Sequence, residues 1–156
     1  MVNVMKHNKT IELLAPAGSW EALEAAVNAG ADAVYMGGKA FGARQYASNF
    51  DREELTRAVY FAHMHRVRLY ITVNTLVDDA EMPELADYLL FLNNVGVDGI
   101  IVQDMGVINL ARKLVPQLPL HASTQMTVTE SRSALFLKSL GVCRIVPARE
   151  LSLEEI

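Results

Sequence analysis

One unit returns three times along this chain: a helix-like stretch closes on glycine, two small residues follow, and an apolar run begins. It reads Ala29-Gly30-Ala31-Asp32-Ala33-Val34-Tyr35, then Val95-Gly96-Val97-Asp98-Gly99-Ile100-Ile101, and more loosely Leu140-Gly141-Val142-Cys143-Arg144-Ile145-Val146. Glycine suits the left-handed position that closes a helix. A short apolar run after it suits a strand buried on both faces. Repeated helix-to-strand joints of this kind specify a parallel α/β sheet. Such folds carry their chemistry at the opposite joint, where strand runs into helix.

Reading outward from these joints gives six strand–helix units. Strands are expected over Ile11–Pro16, Ala33–Met36, Arg68–Asn74, Gly99–Asp104, within Leu118–Gln125, and over Cys143–Ala148. The helices between them carry recognisable starts. Ser19 is placed to cap the first, with Glu21 and Glu24 in its early turns, and Asp51 with Glu54 three residues on forms a capping box for the second. Pro83 suits the first turn of the third. Ser152-Leu153-Glu154-Glu155 reads as the start of a further helix. The expected fold is a parallel (β/α) TIM-barrel-like α/β architecture, incomplete, with residues 1–156 as the N-terminal part of a (β/α)8-type barrel cut before its last units. A doubly wound open sheet, which needs only five or six strands, also fits the pattern.

Composition narrows the functions. Half of the 156 residues are hydrophobic (51%), enough to cover a sheet with helices. The formal net charge is −4 and no lysine or arginine run appears, so bulk electrostatic capture of nucleic acid or an anionic membrane is not expected. No apolar run reaches the ~20 residues of a membrane helix. No secretory leader is evident, and a cytoplasmic location is the expectation. Cys143 is the one cysteine, which allows no internal disulfide and no cysteine-ligated cluster within this chain. Its apolar surroundings suggest an inert core residue.

Polar residues gather at the expected strand exits: Lys39 and Arg44 after the second, Asn74 after the third, Gln103 and Asp104 after the fourth. His121, Ser123 and Gln125 lie on the fifth, and Arg149 and Glu150 follow the sixth. Converging on one face, they would form a site for a polar, anionic small molecule. Lys39 and Arg44 are candidate anion contacts. Asp104 suits a general base or a helix cap. His121, Ser123 and Gln125 alternate and so share a face. No Gly-x-Ser-x-Gly elbow accompanies them. Asp104, His121 and Asn74 are the candidate catalytic residues, and Lys39, Arg44, Ser123, Gln125, Arg149 and Glu150 the candidate substrate contacts. No metal set is expected: His63 and His65, two apart on a helix, diverge. Asp32 and Asp98, at the strand starts, read as structural.

Five strings together resemble a known family: Glu12-Leu13-Leu14-Ala15-Pro16-Ala17-Gly18, Gly30-Ala31-Asp32-Ala33-Val34-Tyr35, Val73-Asn74-Thr75, His121-Ala122-Ser123-Thr124-Gln125-Met126 and Ala148-Arg149-Glu150-Leu151-Ser152. They look like the start of the peptidase U32 family, the collagenase-like proteases, and the resemblance runs from Ile11 to Ile156. It implies a TIM-barrel-like N-terminal region and an enzyme of disputed chemistry. The family name records protease activity. Other members resemble oxygen-independent hydroxylation factors for transfer RNA, ribosomal RNA or ubiquinone, which carry an iron–sulfur cluster on four cysteines and draw on prephenate as oxygen donor. Those cysteines would lie beyond Ile156. Three readings follow: peptidase, hydroxylation factor, and non-catalytic binding module. The implied partners are a small anionic, peptide or RNA substrate, together with self-association of an open barrel.

Overall fold

The computed structural model describes residues 11–42 and 50–156. Six strands alternate with five helices: β1 (Leu14–Pro16), α1 (Trp20–Asn28), β2 (Ala33–Gly37), α2 (Arg52–Met64), β3 (Arg68–Val73), α3 (Met82–Val95), β4 (Gly99–Val102), α4 (Met105–Leu114), β5 (Leu120–Ala122), α5 (Ser131–Ser139) and β6 (Val142–Ile145). A short 3-10 turn, Thr124–Met126, follows β5. All neighbours pair in parallel and the order is β1-β2-β3-β4-β5-β6. The order never reverses, which excludes the doubly wound alternative. The sheet is not closed into a ring.

The recurrent joint is visible in the backbone. Gly30, Gly96 and Gly141 have φ of 85°, 86° and 90°, the left-handed region where a side chain is strained. In the first two copies the aspartate two residues on acts as a clamp. Asp32 Oδ2 accepts the Leu13 backbone N–H, and Asp98 Oδ2 accepts that of Leu69, each at 2.8 Å. Asp98 also meets His63 Nε2 at 2.8 Å. Each carboxylate therefore satisfies a backbone donor at the start of the preceding strand. In the third copy the position is Cys143, whose thiol lies 3.3 Å from the Leu120 carbonyl. Cys143 is exposed, not buried as its apolar neighbours suggest. The β5–β6 register shifts there: Leu120 pairs with Val142 but His121 with Arg144, so Cys143 is the extra residue of a bulge on the last strand.

Helices pack on one face only. The main core joins Val34, Leu69, Ile71, Ile100, Val102 and Leu120 to helix residues such as Leu23, Leu55, Leu89, Leu92 and Ile108, all nearly inaccessible. Alternate strand residues make a second, smaller cluster on the opposite face: Ala33, Tyr70 and Ile101, with Leu14 and Tyr35 against them. The opposite face is concave. In a flat sheet β1 and β6 would stand roughly 24 Å apart, five spacings of about 4.8 Å. Instead Glu12, just before β1, contacts the Arg144 guanidinium of β6 directly. Among the described residues no helix is long and apolar enough to cross a membrane.

Candidate functional site

At the strand exits the concave face opens into a cavity of about 560 Å³, within the usual range for small-molecule sites. Leu14, Pro16 and Tyr35 line one side with Gly18; Thr72, Asn74 and Ile101 lie beside β3 and β4; Ser123, Thr124, Gln125, Thr127, Arg149 and Glu150 complete it.

The segment after β5 shapes this cavity. Ser123 N–H donates to the Val102 carbonyl at 2.8 Å, extending the β4–β5 ladder by one residue. Ser123 Oγ then accepts the Gln125 N–H at 3.2 Å, which starts the 3-10 turn. The turn ends at Thr127, a β-branched residue at φ 53°. A left-handed threonine costs roughly 1–3 kcal/mol, a strain of the kind stored at functional sites. Beyond it the Ala148 N–H donates to the Val128 carbonyl, anchoring the approach to Arg149. From the other side Asn74, held by its own N–H to the Phe41 carbonyl at 2.9 Å, sends Nδ2–H to Gln125 Oε1 at 2.6 Å. Ser123 Oγ lies 3.4 Å from that same oxygen. One side-chain network thus joins the ends of β3 and β5.

The structure brings Asn74, Ser123, Gln125, Arg149 and Glu150 together around the cavity. It sets three other candidates elsewhere. Lys39 pairs with Asp51 at 3.2 Å on the surface. Asp104 caps α4, its Oδ1 accepting from Gly106 N at 2.6 Å and Val107 N at 3.1 Å. His121 lies two residues deeper on β5, 4% exposed, with its ring edge-on to Tyr70 at 4.6 Å between centroids. Burial first, then the Arg144 charge, lowers its pKa to about 4 against a smaller opposing pull from Glu12. His121 is therefore neutral near pH 7, and the Ser123 hydroxyl is committed to Gln125. Arg44 lies outside the described residues.

Sequence reasoning missed Thr72, Thr127 and the Pro16–Gly18 corner. Thr127 had a signal, since it continues the Ser123-Thr124-Gln125 string. It also missed the floor of the concave face. There Glu12 receives Arg68 at 2.6 Å, Arg144, and the Tyr70 hydroxyl at 3.1 Å. Arg144 also sits over the Tyr70 ring, 5.4 Å from its centroid. Burial raises the Glu12 pKa, but the Arg144 hydrogen bond and charge, the Tyr70 hydroxyl and Arg68 outweigh it and hold the carboxyl below its ordinary value.

Comparison with known proteins places this geometry. The chain is 42% identical over 95% of its length to tRNA hydroxylation protein P1 of Bacillus subtilis (strain 168), of which it spans 35%. It is 41% identical over 94% of its length to the 23S rRNA 5-hydroxycytidine C2501 synthase of Escherichia coli (strain K12), spanning 22% of that protein. It is 39% identical over 94% of its length to the uncharacterized protease MJ0090 of Methanocaldococcus jannaschii, spanning 35%. The chain thus covers about a third or less of these relatives. Its fold is similar to that of the U32 peptidase Mk0906, with a TM-score of 0.73 at 16% identity over 88% of this chain and 58% of that one. The sequence model of Peptidase family U32 matches residues 18–156, from the β1–α1 joint to the last residue, and on that match the chain belongs to Peptidase family U32.

Proposed function

We propose that this chain is the substrate-cavity part of an RNA-hydroxylating protein, acting on a transfer or ribosomal RNA with a small anionic co-substrate. The observation that carries the reading is the 42% identity to tRNA hydroxylation protein P1, which extends over 95% of the chain. The site chemistry agrees with it. Arg149 makes no salt bridge among the described residues, and the amides of Asn74 and Gln125, several hydroxyls and the Glu150 carboxylate line the same cavity. That set suits holding and orienting an oxygen-rich molecule. A serine peptidase would need an activated nucleophile, and Ser123, bonded to Gln125, and the buried His121 do not form one. The protease name of MJ0090 and the family label are the support for that alternative.

The iron–sulfur cluster implied by the family resemblance does not fit the residues of this chain. Cluster ligation takes four cysteines, and Cys143 is the one present, exposed on β6. No group of three or more histidine, cysteine or carboxylate side chains among the described residues is placed to hold a metal. In this proposal the segment contributes binding and positioning, and alone it should leave RNA unmodified.

A chimera tests the reading. Residues 11–156 replace the matching part of the Bacillus subtilis P1 protein in a strain lacking tRNA hydroxylation, and total tRNA is digested and weighed by mass spectrometry. We expect the nucleoside carrying one added oxygen to return. A chimera that accumulates as a folded protein yet leaves tRNA unmodified overturns the proposal.

Self-association belongs to the same proposal. Among the described residues the outer edges of β1 and β6 carry no further strand, and Leu135 and Phe136 of α5 and Leu13 beside β1 are more than half exposed. Bare edges and exposed apolar side chains favour a second copy. Light scattering after size exclusion should give a mass above the 17.2 kDa of one chain; a monomer that persists at high concentration rules it out.

A further inference from the structure

The geometry points to Gln125 as the specificity-determining residue of the cavity, presenting its side-chain N–H group, so that the ligand atom seated there is a hydrogen-bond acceptor. A glutamine side chain offers one carbonyl oxygen and one NH2, and a network that saturates the first decides which end a ligand meets. Here the oxygen is taken twice over. Asn74 Nδ2–H donates to Gln125 Oε1 at 2.6 Å, and the Ser123 hydroxyl lies 3.4 Å from it. The Gln125 backbone is fixed as well, through its N–H to Ser123 Oγ at 3.2 Å. No hydrogen bond engages Gln125 Nε2 among the described residues. The side chain lines the cavity with Arg149, a second group that can only donate, while the acceptor Glu150 lies in the same lining. A ligand carbonyl or carboxylate oxygen meets donors there. An amine or amide N–H in the same place faces another N–H group and leaves both unsatisfied, which is where hydrogen-bond specificity is strongest.

The inference rests on the cavity being a ligand site and needs no RNA chemistry. Its probes are two neutral molecules of similar size at pH 7.5: acetophenone, whose polar group only accepts, and aniline, whose N–H group donates. Binding to the whole chain is followed by nitrogen–proton spectra that include the Gln125 side-chain amide. We expect acetophenone to move that resonance and to bind about tenfold more tightly than aniline. In Gln125→Met, which removes the donor together with the oxygen that Asn74 and Ser123 use, the ratio should fall at least about fivefold while the backbone nitrogen–proton spectrum stays that of a folded chain. Aniline binding as tightly as acetophenone overturns the inference. So does a wild-type chain that binds neither at millimolar concentration, or a Gln125→Met chain that keeps the full ratio. A failed RNA chimera beside an intact ratio would sink the functional reading and leave Gln125's role standing.

Discussion

Gly38→Ala should destabilise the chain by about 3 kcal/mol, and Tyr88→Phe should restore most of that loss. Gly38 follows β2 and bridges to Phe50, where the chain returns toward α2. A Cβ built on it would stand 2.2 Å from the Tyr88 hydroxyl oxygen and 3.3 Å from Leu55 Cδ1. Neither neighbour has room to retreat: Tyr88 is 3% exposed, Leu55 is 1%, and both belong to the main core. Overpacking of this severity costs about 1–3 kcal/mol and occasionally more. The Tyr88 hydroxyl is also buried without a hydrogen-bond partner among the described residues. Its removal alone should be neutral or stabilising by up to about 1 kcal/mol, since an unpaired buried hydroxyl is a cost in the native state. In the double variant the inserted methyl meets Tyr88 Cζ at 3.3 Å, a gap small shifts can relieve. Urea denaturation of the four proteins closes the cycle. Additive effects, with no rescue by Tyr88→Phe, would mean that the turn rather than the ring yields to the methyl.

Glu12→Ala should cost about 2 kcal/mol and remove an acid-sensitive part of the stability. The carboxylate, only 13% exposed, is shared by Arg68, Arg144 and the Tyr70 hydroxyl. Its loss leaves two guanidiniums over one concave floor. Breaking a fully buried pair costs about 3–5 kcal/mol, but Arg68 is 56% and Arg144 37% exposed, so water recovers part of it. The pH profile separates two groups. Glu12 has its pKa lowered in the folded chain, so its contribution is complete above the ordinary carboxylate value and is lost as pH falls through the folded one. His121, lowered from 6.5 to about 4, acts earlier. As pH drops through that window the unfolded chain takes a proton that folded His121 refuses, and stability declines. His121→Gln should flatten the limb between pH 6.5 and 4, and Glu12→Ala the limb that begins at the ordinary carboxylate value of 4.5 and continues below it. Profiles of both variants that parallel the wild type would dismiss the floor as an acid-sensitive element.

The repeated joint was legible because local backbone geometry forced it. Three glycines at helix ends required left-handed turns, and the capping box of Asp51 and Glu54 formed as its spacing demands, each side chain bonded to the other's backbone N–H. The single-sided layout of helices agrees with the barrel-like expectation, but the strand pattern alone left the doubly wound sheet open, because a buried parallel strand shows the same apolar run in both. Expected strands were longer than found: β1 is three residues, not six, because pairing with β2 begins only at Leu14. Candidate site residues separated by what else each could do. Asn74, Ser123 and Gln125 lie at strand ends and bond to one another across the cavity. Lys39 and Asp104 had partners within about a dozen residues, a carboxylate at Asp51 and the first amides of α4. Glu12 was invisible as a floor residue because its three partners sit on strands far along the chain.

The consecutive strand order also bears on how the chain is made. Every strand pairs with the one immediately before it in sequence, so as synthesis proceeds each emerging strand finds its template already exposed outside the ribosome. Structure can therefore accrete from the N-terminus one unit at a time, with short loops to close at each step. The Glu12–Arg144 contact joins the two ends of the sheet, spanning 132 residues. Glu12 meets Arg68 and Tyr70 once β3 is in place, and its last partner only with β6. When β6 arrives, that contact draws the two ends of the growing sheet together and turns a ribbon of units into a bowl.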